Sequence, residues 1–154
     1  TDPSDSINTL AWYGSRGYPP TMATITPEIA ERLDRSIVIW LTTVTADALP
    51  QPSPVWFLHE DGRFIVYSLA NAPRVRNLRA NPRVALSLNS TDDGSDVLVV
   101  EGEAQLEDGP PSTELPAYVA KYAAKVAEYG WTAESFARDY PQRIVITPTR
   151  VRAY

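Results

Sequence analysis

The sequence predicts a mainly β fold with attached helices, in which antiparallel strands form one small barrel. Three observations support this fold class. Short apolar, β-branched segments recur along the chain, with turn-forming residues between them. Helical patterns are few: one precedes the strands, one follows the third strand, and a pair precedes the last. Strands joined by short connections form antiparallel meanders, and such a sheet removes its free edges by closing into a barrel.

The composition is that of a globular domain. The chain has 154 residues, of which 44% are hydrophobic and 21% charged, and this length is sufficient to bury a core. There is no cysteine and one histidine, His59, so disulfides, thiolate catalysis and three-histidine metal sites are excluded. The net charge of −5 disfavours nucleic acid as a partner. We expect a cytoplasmic protein without a metal or a membrane span.

Residues 1–21 differ from the rest of the chain. They are rich in turn formers, lack hydrophobic periodicity and are followed by the only methionine, Met22. We interpret residues 1–21 as an N-terminal extension or an added arm. Residues 22–154 are then the single folded domain.

The first half of this domain is predicted to contain one helix and three strands. Thr26-Pro27-Glu28 is typical of a helix start, and the helix is expected to run to about Arg35. Glu60-Asp61-Gly62 indicates a hairpin, and we expect the adjacent His59 to be a solvent-exposed turn residue. The predicted strands are Ile37 to Val44, Gln51 to Leu58 and Arg63 to Leu69.

The second half is predicted to contain a short helix and three further strands. The helix starts at Asn71-Ala72-Pro73 and ends before Pro82. Gly102 predicts a bulge or bend in the long strand around it, and Pro148 predicts a bend in the last strand. The strands are Arg83 to Leu88, Val97 to Leu106 and Gln142 to Tyr154.

A helical insert is predicted at about residues 113–140. Gly130 ends its first helix and Thr132 caps the second. Apolar residues at spacings of three and four form one stripe on the first helix: Leu115, Val119, Tyr122, Val126 and Tyr129. The aromatic residues Tyr118, Tyr122, Tyr129 and Trp131 are interpreted as core or interface rather than as a substrate site.

Positive charge is concentrated in one segment of this acidic chain. No acidic residue occurs between Gly62 and Thr91. Arg74 and Arg76 lie at the start of the short helix, where free N–H groups and the helix dipole favour an anion. The pattern predicts a phosphate or carboxylate site, with a solvated basic surface as the alternative. The arginines of the segment are Arg63, Arg74, Arg76, Arg79 and Arg83.

The segment Pro50-Gln51-Pro52-Ser53-Pro54 has proline at alternate positions, which removes every N–H from one side of a strand. Gln51, Ser53 and Val55 direct their N–H groups to the other side, and their side chains share a face. A strand edge of this kind, next to two aromatic residues, could hold a flat heterocycle. An ordinary protected edge strand is the alternative.

Taken together and in order, these segments resemble the split β-barrel family of pyridoxamine-phosphate-oxidase-like flavin and deazaflavin enzymes. The resemblance covers about residues 23–154 and is greatest to the actinobacterial branch that uses coenzyme F420, a deazaflavin. Arg74 stands where many relatives have lysine, and Asp47-Ala48 replaces a commoner Asp-Gly turn. The segments that carry the resemblance are Val38 to Val44, Pro50 to Phe57, Tyr67-Ser68, Asn71 to Arg79, Asn81 to Leu86, Val100 to Ala104 and Thr147 to Val151.

This resemblance implies a split β-barrel homodimer with the cofactor at the subunit interface. It implies an F420H2-dependent oxidoreductase that transfers a hydride from the reduced deazaflavin to an unsaturated small organic acceptor. No catalytic acid or base is assigned. The residues that it places along the ring system are Gln51, Ser53 and Val55. The residues that it places at the phosphate-bearing tail are Ser68, Arg74, Arg76 and Asn77.

Two other functions remain open: an FMN-dependent oxidase or reductase of the same fold, and a non-catalytic carrier of flavin, deazaflavin or another ligand. Oxidation of vitamin B6 is disfavoured, because enzymes with that activity have an Arg-x-His pair near the C-terminus. This chain has Thr149-Arg150-Val151-Arg152-Ala153-Tyr154 there. We expect F420 to bind more tightly than FMN, because Arg63, Arg79 and Arg83 add positive charge beyond the phosphate site.

Overall fold

The computed structural model describes residues 24–153. The interpretation of residues 1–21 as an N-terminal extension or an added arm concerns residues outside the described range. Within that range the strands are β1 Val38–Val44, β2 Pro50–Trp56, β3 Leu58–Glu60, β4 Arg63–Ser68, β5 Arg83–Ser87, β6 Leu98–Glu107 and β7 Gln142–Ala153. The helices are α1 Pro27–Arg35, α2 Pro73–Ala80, α3 Pro116–Glu128 and α4 Ala133–Asp139, with a 3-10 turn at Ser112–Glu114.

All strand pairs of this sheet are antiparallel, and the spatial order is β2-β1-β5-β6-β7-β4-β3. Strands β2 and β3 are consecutive in the chain, yet they lie at opposite edges of the sheet. Only Phe57 separates them, so the sheet must curl until its two edges approach one another. A split between β2 and β4 remains where no ladder joins the edges. The predicted antiparallel split β-barrel is confirmed.

The side chains of β4 show how the barrel divides apolar residues between two clusters. Phe64 and Val66 point into the main core, together with Leu33 of α1 and Leu78 of α2. Ile65, the next residue along, points to the other face, as period-two alternation requires. There it joins a second cluster that includes Tyr67, Tyr118, Tyr122 and Phe136. The helical insert therefore packs on the outside of the barrel next to the split.

The strand predicted from Gln51 to Leu58 is in fact two strands that break at Phe57. The backbone of Phe57 belongs to neither ladder, so its polar groups need other partners. One residue of α3 supplies them: Phe57 N–H donates to the Tyr122 hydroxyl at 2.7 Å. The hydroxyl hydrogen in turn lies between the carbonyl oxygens of Phe57 and Ile37, each 2.8 Å from Oη. Tyr122 thus provides the hydrogen bonds at Phe57, where the chain passes from one edge of the sheet to the other. We call this place the joint.

His59 is not the solvent-exposed turn residue that the sequence predicts. It lies in β3, opposite Phe64, and its ring is 5.1 Å from the Phe64 ring. Pairing with β4 continues to Glu60, so the turn begins one residue later than expected. Burial lowers the pKa of His59, and Nε2 has no hydrogen-bond partner among the described residues.

The bulge predicted at Gly102 is confirmed, and its cause is a close backbone approach. The register between β6 and β7 shifts between Glu101 and Gly102, so that Gly102 pairs with Pro148. A Cβ on Gly102 would lie 2.7 Å from the carbonyl oxygen of Thr147. Only glycine fits this position without a backbone shift.

The helical insert contains α3 and α4, as the sequence predicts. Gly130 has φ +71° just after α3, and the Thr132 hydroxyl accepts from the Ser135 N–H in a reciprocal cap at the start of α4. Tyr118 and Tyr122 are buried, whereas Tyr129 at the end of the predicted stripe is 58% exposed. No helix in residues 24–153 is long and apolar enough to cross a membrane.

Candidate functional site

The split between β2 and β4 is bridged by one charged side chain, Arg74. Its Nε lies 3.4 Å from the hydroxyl of Ser53 on β2. Its Nη1 donates to the hydroxyl of Ser68 on β4 at 3.2 Å. Arg74 is the second residue of α2, because Pro73 fixes the first turn of that helix. The start of α2 therefore places a guanidinium group directly over the opening in the barrel.

Arg74 is half-buried and forms no salt bridge with any described carboxylate. Burial lowers the pKa of its guanidinium, which remains a cation at neutral pH because its ordinary pKa is so high. A guanidinium group has five N–H donors, and the two serines use two of them. A half-buried cation with spare donors and no carboxylate partner is a site for an anion.

Two cavities meet at Arg74. The first, which we call the polar groove, has a volume of about 460 Å³ and runs along β2 past Gln51, Ser53 and Pro73. The second, which we call the aromatic pocket, has a volume of about 340 Å³ and lies over the split. Among residues 24–153, Arg74 is the only charged one that lines either cavity. The aromatic residues of the second cavity are Trp56, Tyr67, Tyr129, Trp131, Phe136 and Tyr140.

The wall of the aromatic pocket is a row of stacked rings. Trp56 of β2 stacks on Tyr122 at 4.6 Å and on Phe136 at 5.4 Å. Phe136 in turn stacks on Tyr140 at 4.7 Å. At the outer rim, Trp131 is 39% exposed and could accept another ring. Stacked aromatic side chains of this kind suit a flat conjugated ligand.

The predicted residues Gln51 and Asn77 form a polar connection beneath the groove. Asn77 is 5% exposed, and its amide donates to Thr43 Oγ1 at 3.0 Å and to Gln51 Oε1 at 2.9 Å. These two bonds use both N–H groups of Asn77 and fix α2 against β1 and β2. Gln51 is exposed and lines the groove, so its own amide N–H groups are available to a ligand.

The other predicted residues lie at three different depths. Ser68 is fully buried, and its hydroxyl donates to the Leu69 carbonyl oxygen while accepting from Arg74. Val55 is 6% exposed and belongs to the barrel core, although it also lines the aromatic pocket. Arg76 is exposed and lines neither cavity. The assignment of the seven residues to a cofactor stays a prediction.

Two of the arginines expected to add positive charge beyond the phosphate site lie away from Arg74. Arg63 pairs with Glu60 at the far end of β4, five residues from Ser68, which is roughly 17 Å along a strand. Arg83 lies opposite Glu103 in the β5–β6 ladder, in a separate groove that Glu101 also lines. The pairing of β5 with β6 places acidic residues of β6 beside Arg83, although the sequence around Arg83 contains none. Arg79 stays on α2, where it is exposed.

The aromatic pocket is the part of the site that the sequence analysis missed. Tyr129 and Trp131 are interpreted there as core or interface residues; both are exposed and so do not belong to the core, and both line this pocket. The available signal was their position at the Gly130 break between two helices, where side chains are free to project beyond the packed stripe.

Comparison with known proteins identifies the family. The family model described as pyridoxamine 5′-phosphate oxidase matches residues 25–154. The chain therefore belongs to the pyridoxamine 5′-phosphate oxidase family. No curated protein sequence matches the chain significantly.

Solved structures agree with this assignment. An F420 reductase is similar over 78% of this chain and 92% of its own, with 25% identity and a TM-score of 0.62. A conserved hypothetical protein of Mycobacterium tuberculosis matches over 88% of this chain and 89% of its own, with 21% identity and a TM-score of 0.67. A haem storage protein of Vibrio cholerae, with 18% identity and a TM-score of 0.60, covers 84% of this chain and 94% of its own. The last two similarities show the fold alone.

Proposed function

We propose that this protein is an F420H2-dependent oxidoreductase whose cofactor is anchored by Arg74. The observation that carries the proposal is a guanidinium group that pairs with no carboxylate of the described residues and lies between a polar groove and a pocket with aromatic walls. A flat heterocycle with a phosphate-bearing tail fits both features, because its ring can stack on the aromatic walls and its phosphate can bind the guanidinium group. Flavins and deazaflavins are cofactors of this kind.

The residues present fit such a group. Arg74 would hold a phosphate oxygen with the N–H groups that the serines leave free. The N-cap position of α2 is Ala72, and no side chain caps the helix. The helix dipole therefore adds to the attraction for an anion at Pro73, which lines the groove. Gln51 and Ser53 would offer polar groups along β2.

When bound, the reduced deazaflavin would supply the hydride for an unsaturated organic acceptor. The chain itself would bind and orient the cofactor and exclude water from its ring. The wall formed by Trp56, Phe136 and Tyr140 is suited to the last task. No residue within 24–153 that lines the two cavities carries a carboxylate or an imidazole, and we propose water as the proton source for the acceptor.

F420 is favoured over FMN by the similarity to an F420 reductase and by the charge of α2. This helix carries Arg74, Arg76 and Arg79 and no acid. The F420 tail extends past its phosphate into carboxylates, which a basic helix surface attracts, whereas FMN ends at the phosphate.

We also propose that the functional unit is a homodimer with the cofactor at the subunit interface. Strand β1 exposes Val38 and Trp40, which are 39% and 38% exposed, on the face opposite the core. Apolar side chains on one strand face are typical of an interface between subunits. Light scattering should give a dimer at micromolar concentration, and a stable monomer there would contradict this part of the proposal.

The test is a pair of titrations of the full chain with F420 and with FMN, each followed by absorbance and fluorescence at low and at moderate salt. We expect tighter binding of F420 and a preference that shrinks as salt screens the exposed arginines. Equal affinities, or tighter FMN binding at both salt concentrations, would instead support an FMN-dependent enzyme. Binding of F420H2 without turnover of any unsaturated acceptor would indicate a carrier.

A further inference from the structure

A third cavity lies inside the helical insert, away from Arg74. It has a volume of about 230 Å³ and is enclosed by α3, α4 and the 3-10 turn before them. We call it the insert cavity. Phe136 and Trp131 form part of its wall and also face the aromatic pocket, so the two spaces are neighbours that share a partition of two rings.

None of the described residues that form the walls of the insert cavity is charged. On α3 they are small or apolar, with Val119, Ala123, Val126 and Ala127. Aromatic rings of Tyr118, Tyr122, Trp131 and Phe136 complete them. Apolar cavities of roughly 150 Å³ bind benzene, so this space is large enough for one substituted ring. An ionised ligand would lose its hydration here without gaining a counter-charge.

Hydroxyl groups of the described residues lie in this wall. Ser112 and Tyr118 both contribute to the cavity and are each 2% exposed. The Tyr118 hydroxyl is buried without a hydrogen bond among the described residues. A buried hydroxyl normally has a partner, so the Tyr118 hydroxyl favours a ligand that brings one hydrogen-bonding substituent, and the Ser112 hydroxyl lies in the same wall.

The cavity also has an entrance. Ala123, Ala127 and Thr132 line it and are exposed to solvent, so the space reaches the surface between α3 and α4. A small molecule can therefore enter without opening the barrel or disturbing Arg74.

We propose that the insert cavity binds a neutral single-ring aromatic molecule with one hydroxyl or carbonyl substituent, as in a simple phenol. The ring would occupy the space between α3 and α4, and the substituent would hydrogen-bond to Ser112 or Tyr118. This site goes beyond the proposed function: it requires no cofactor, and it stands whether or not F420 binds at Arg74.

The experiment is a titration of the full chain, without cofactor, with para-cresol and with toluene, which lacks only the hydroxyl. Binding is measured by heteronuclear NMR. We expect saturable shifts confined to the residues of the insert cavity, and about fivefold tighter binding of para-cresol, the scale of one neutral hydrogen bond. No saturable shift with either probe, or shifts elsewhere in the molecule, would overturn the proposal.

Variants sharpen the test. Ala127→Leu fills the entrance and should weaken both probes by about tenfold, because overpacking displaces the ring. Ala124→Leu is the matched control, since Ala124 is exposed on the same helix and does not line the cavity. The double variant Ser112→Ala with Tyr118→Phe should remove the preference for para-cresol and keep toluene binding. Unchanged affinity in Ala127→Leu, or an unchanged preference in the double variant, would contradict the site.

Discussion

The split in the barrel is closed by two side chains of opposite character. Tyr122 closes it from the helical insert: it is neutral, 1% exposed, and bonds to the N–H and carbonyl groups of Phe57. Arg74 closes it from α2: it is charged, half-buried, and reaches hydroxyls on β2 and β4. The first uses its whole hydrogen-bonding capacity on the protein. The second leaves three N–H groups free.

This difference indicates that Tyr122 contributes to stability and Arg74 to binding, although both lie at the same split in the barrel. Where the insert covers the split, water cannot reach the backbone of Phe57, so a missing partner would leave buried groups unsatisfied. Where the split opens into two cavities, water can replace a lost hydrogen bond, and a cation can be held ready for an anion. We infer that the same topological gap is a structural joint at one end and a binding site at the other.

The largest expected effect is on stability at the joint. Tyr122→Phe leaves the N–H and carbonyl of Phe57 without partners, and each such group costs roughly 1–3 kcal/mol. The variant should lose about 2–4 kcal/mol of unfolding free energy in urea denaturation. Tyr118→Phe, one turn earlier on α3, is the matched control: its hydroxyl has no partner in the described part of the chain, so its loss should be neutral or stabilising. Equal losses of unfolding free energy in both variants would contradict a stabilising role of the Tyr122 hydroxyl at Phe57.

The next effect concerns the continuous side of the barrel, where β6 and β7 pair. Gly102→Ala places a methyl group 2.7 Å from the Thr147 carbonyl oxygen, which is backbone and cannot rotate away. Overpacking of this kind costs about 1–3 kcal/mol, to be measured by the same denaturation. A variant as stable as wild type would show that the bulge accepts a side chain and that this side of the sheet is less tightly constrained than the contacts indicate.

Arg74→Ala should affect stability much less than Tyr122→Phe does. The Ser53 hydroxyl is near solvent, and Ser68 keeps its bond to the Leu69 carbonyl oxygen. We expect a loss below about 1 kcal/mol, the scale of one solvent-accessible hydrogen bond. A loss of unfolding free energy as large as that of Tyr122→Phe would show that Arg74 is mainly a structural residue, as Tyr122 is.

The smallest effect is at the hairpin that leads into β2. Ala48 has φ +63°, a left-handed conformation that costs a residue with a Cβ about 1–2 kcal/mol. Ala48→Gly relieves this strain but increases the freedom of the unfolded chain, so a net gain of about 0.5–1 kcal/mol is expected by thermal and urea denaturation. A loss of stability would mean that the hairpin changes shape when the strain is removed.

Local patterns predicted most of the fold, because its elements are marked by local chemistry. The cap at Thr132, the bulge at Gly102 and the start of α2 at Pro73 all follow from single residues whose conformational demands are fixed. The break at Phe57 did not follow, because its apolar neighbours read as one continuous strand. The break becomes evident only from the order of strands in the folded sheet, in which β2 and β3 lie at opposite edges.

The sequence predicted part of the candidate site and missed another part. Arg74 was recognisable from the helix start and from the absence of nearby acids in the sequence, and no carboxylate of residues 24–153 forms a salt bridge with it. Arg83 looked equivalent in sequence, yet it lies opposite Glu103 because β5 pairs with β6. The aromatic pocket was missed because it combines rings from β2, α4 and the residues around Gly130, which are distant in the chain.

The most direct test of the account is the affinity of F420 for the Arg74 variants, measured at low salt by fluorescence titration. Arg74→Ala should weaken binding by about 1.5–3 kcal/mol, the usual contribution of hydrogen bonds to a charged group, and Arg74→Lys should weaken it less. Arg63→Ala, at the far end of β4, is the matched control and should bind as wild type does. Wild-type affinity in Arg74→Ala would contradict the assignment of Arg74 as the anion site.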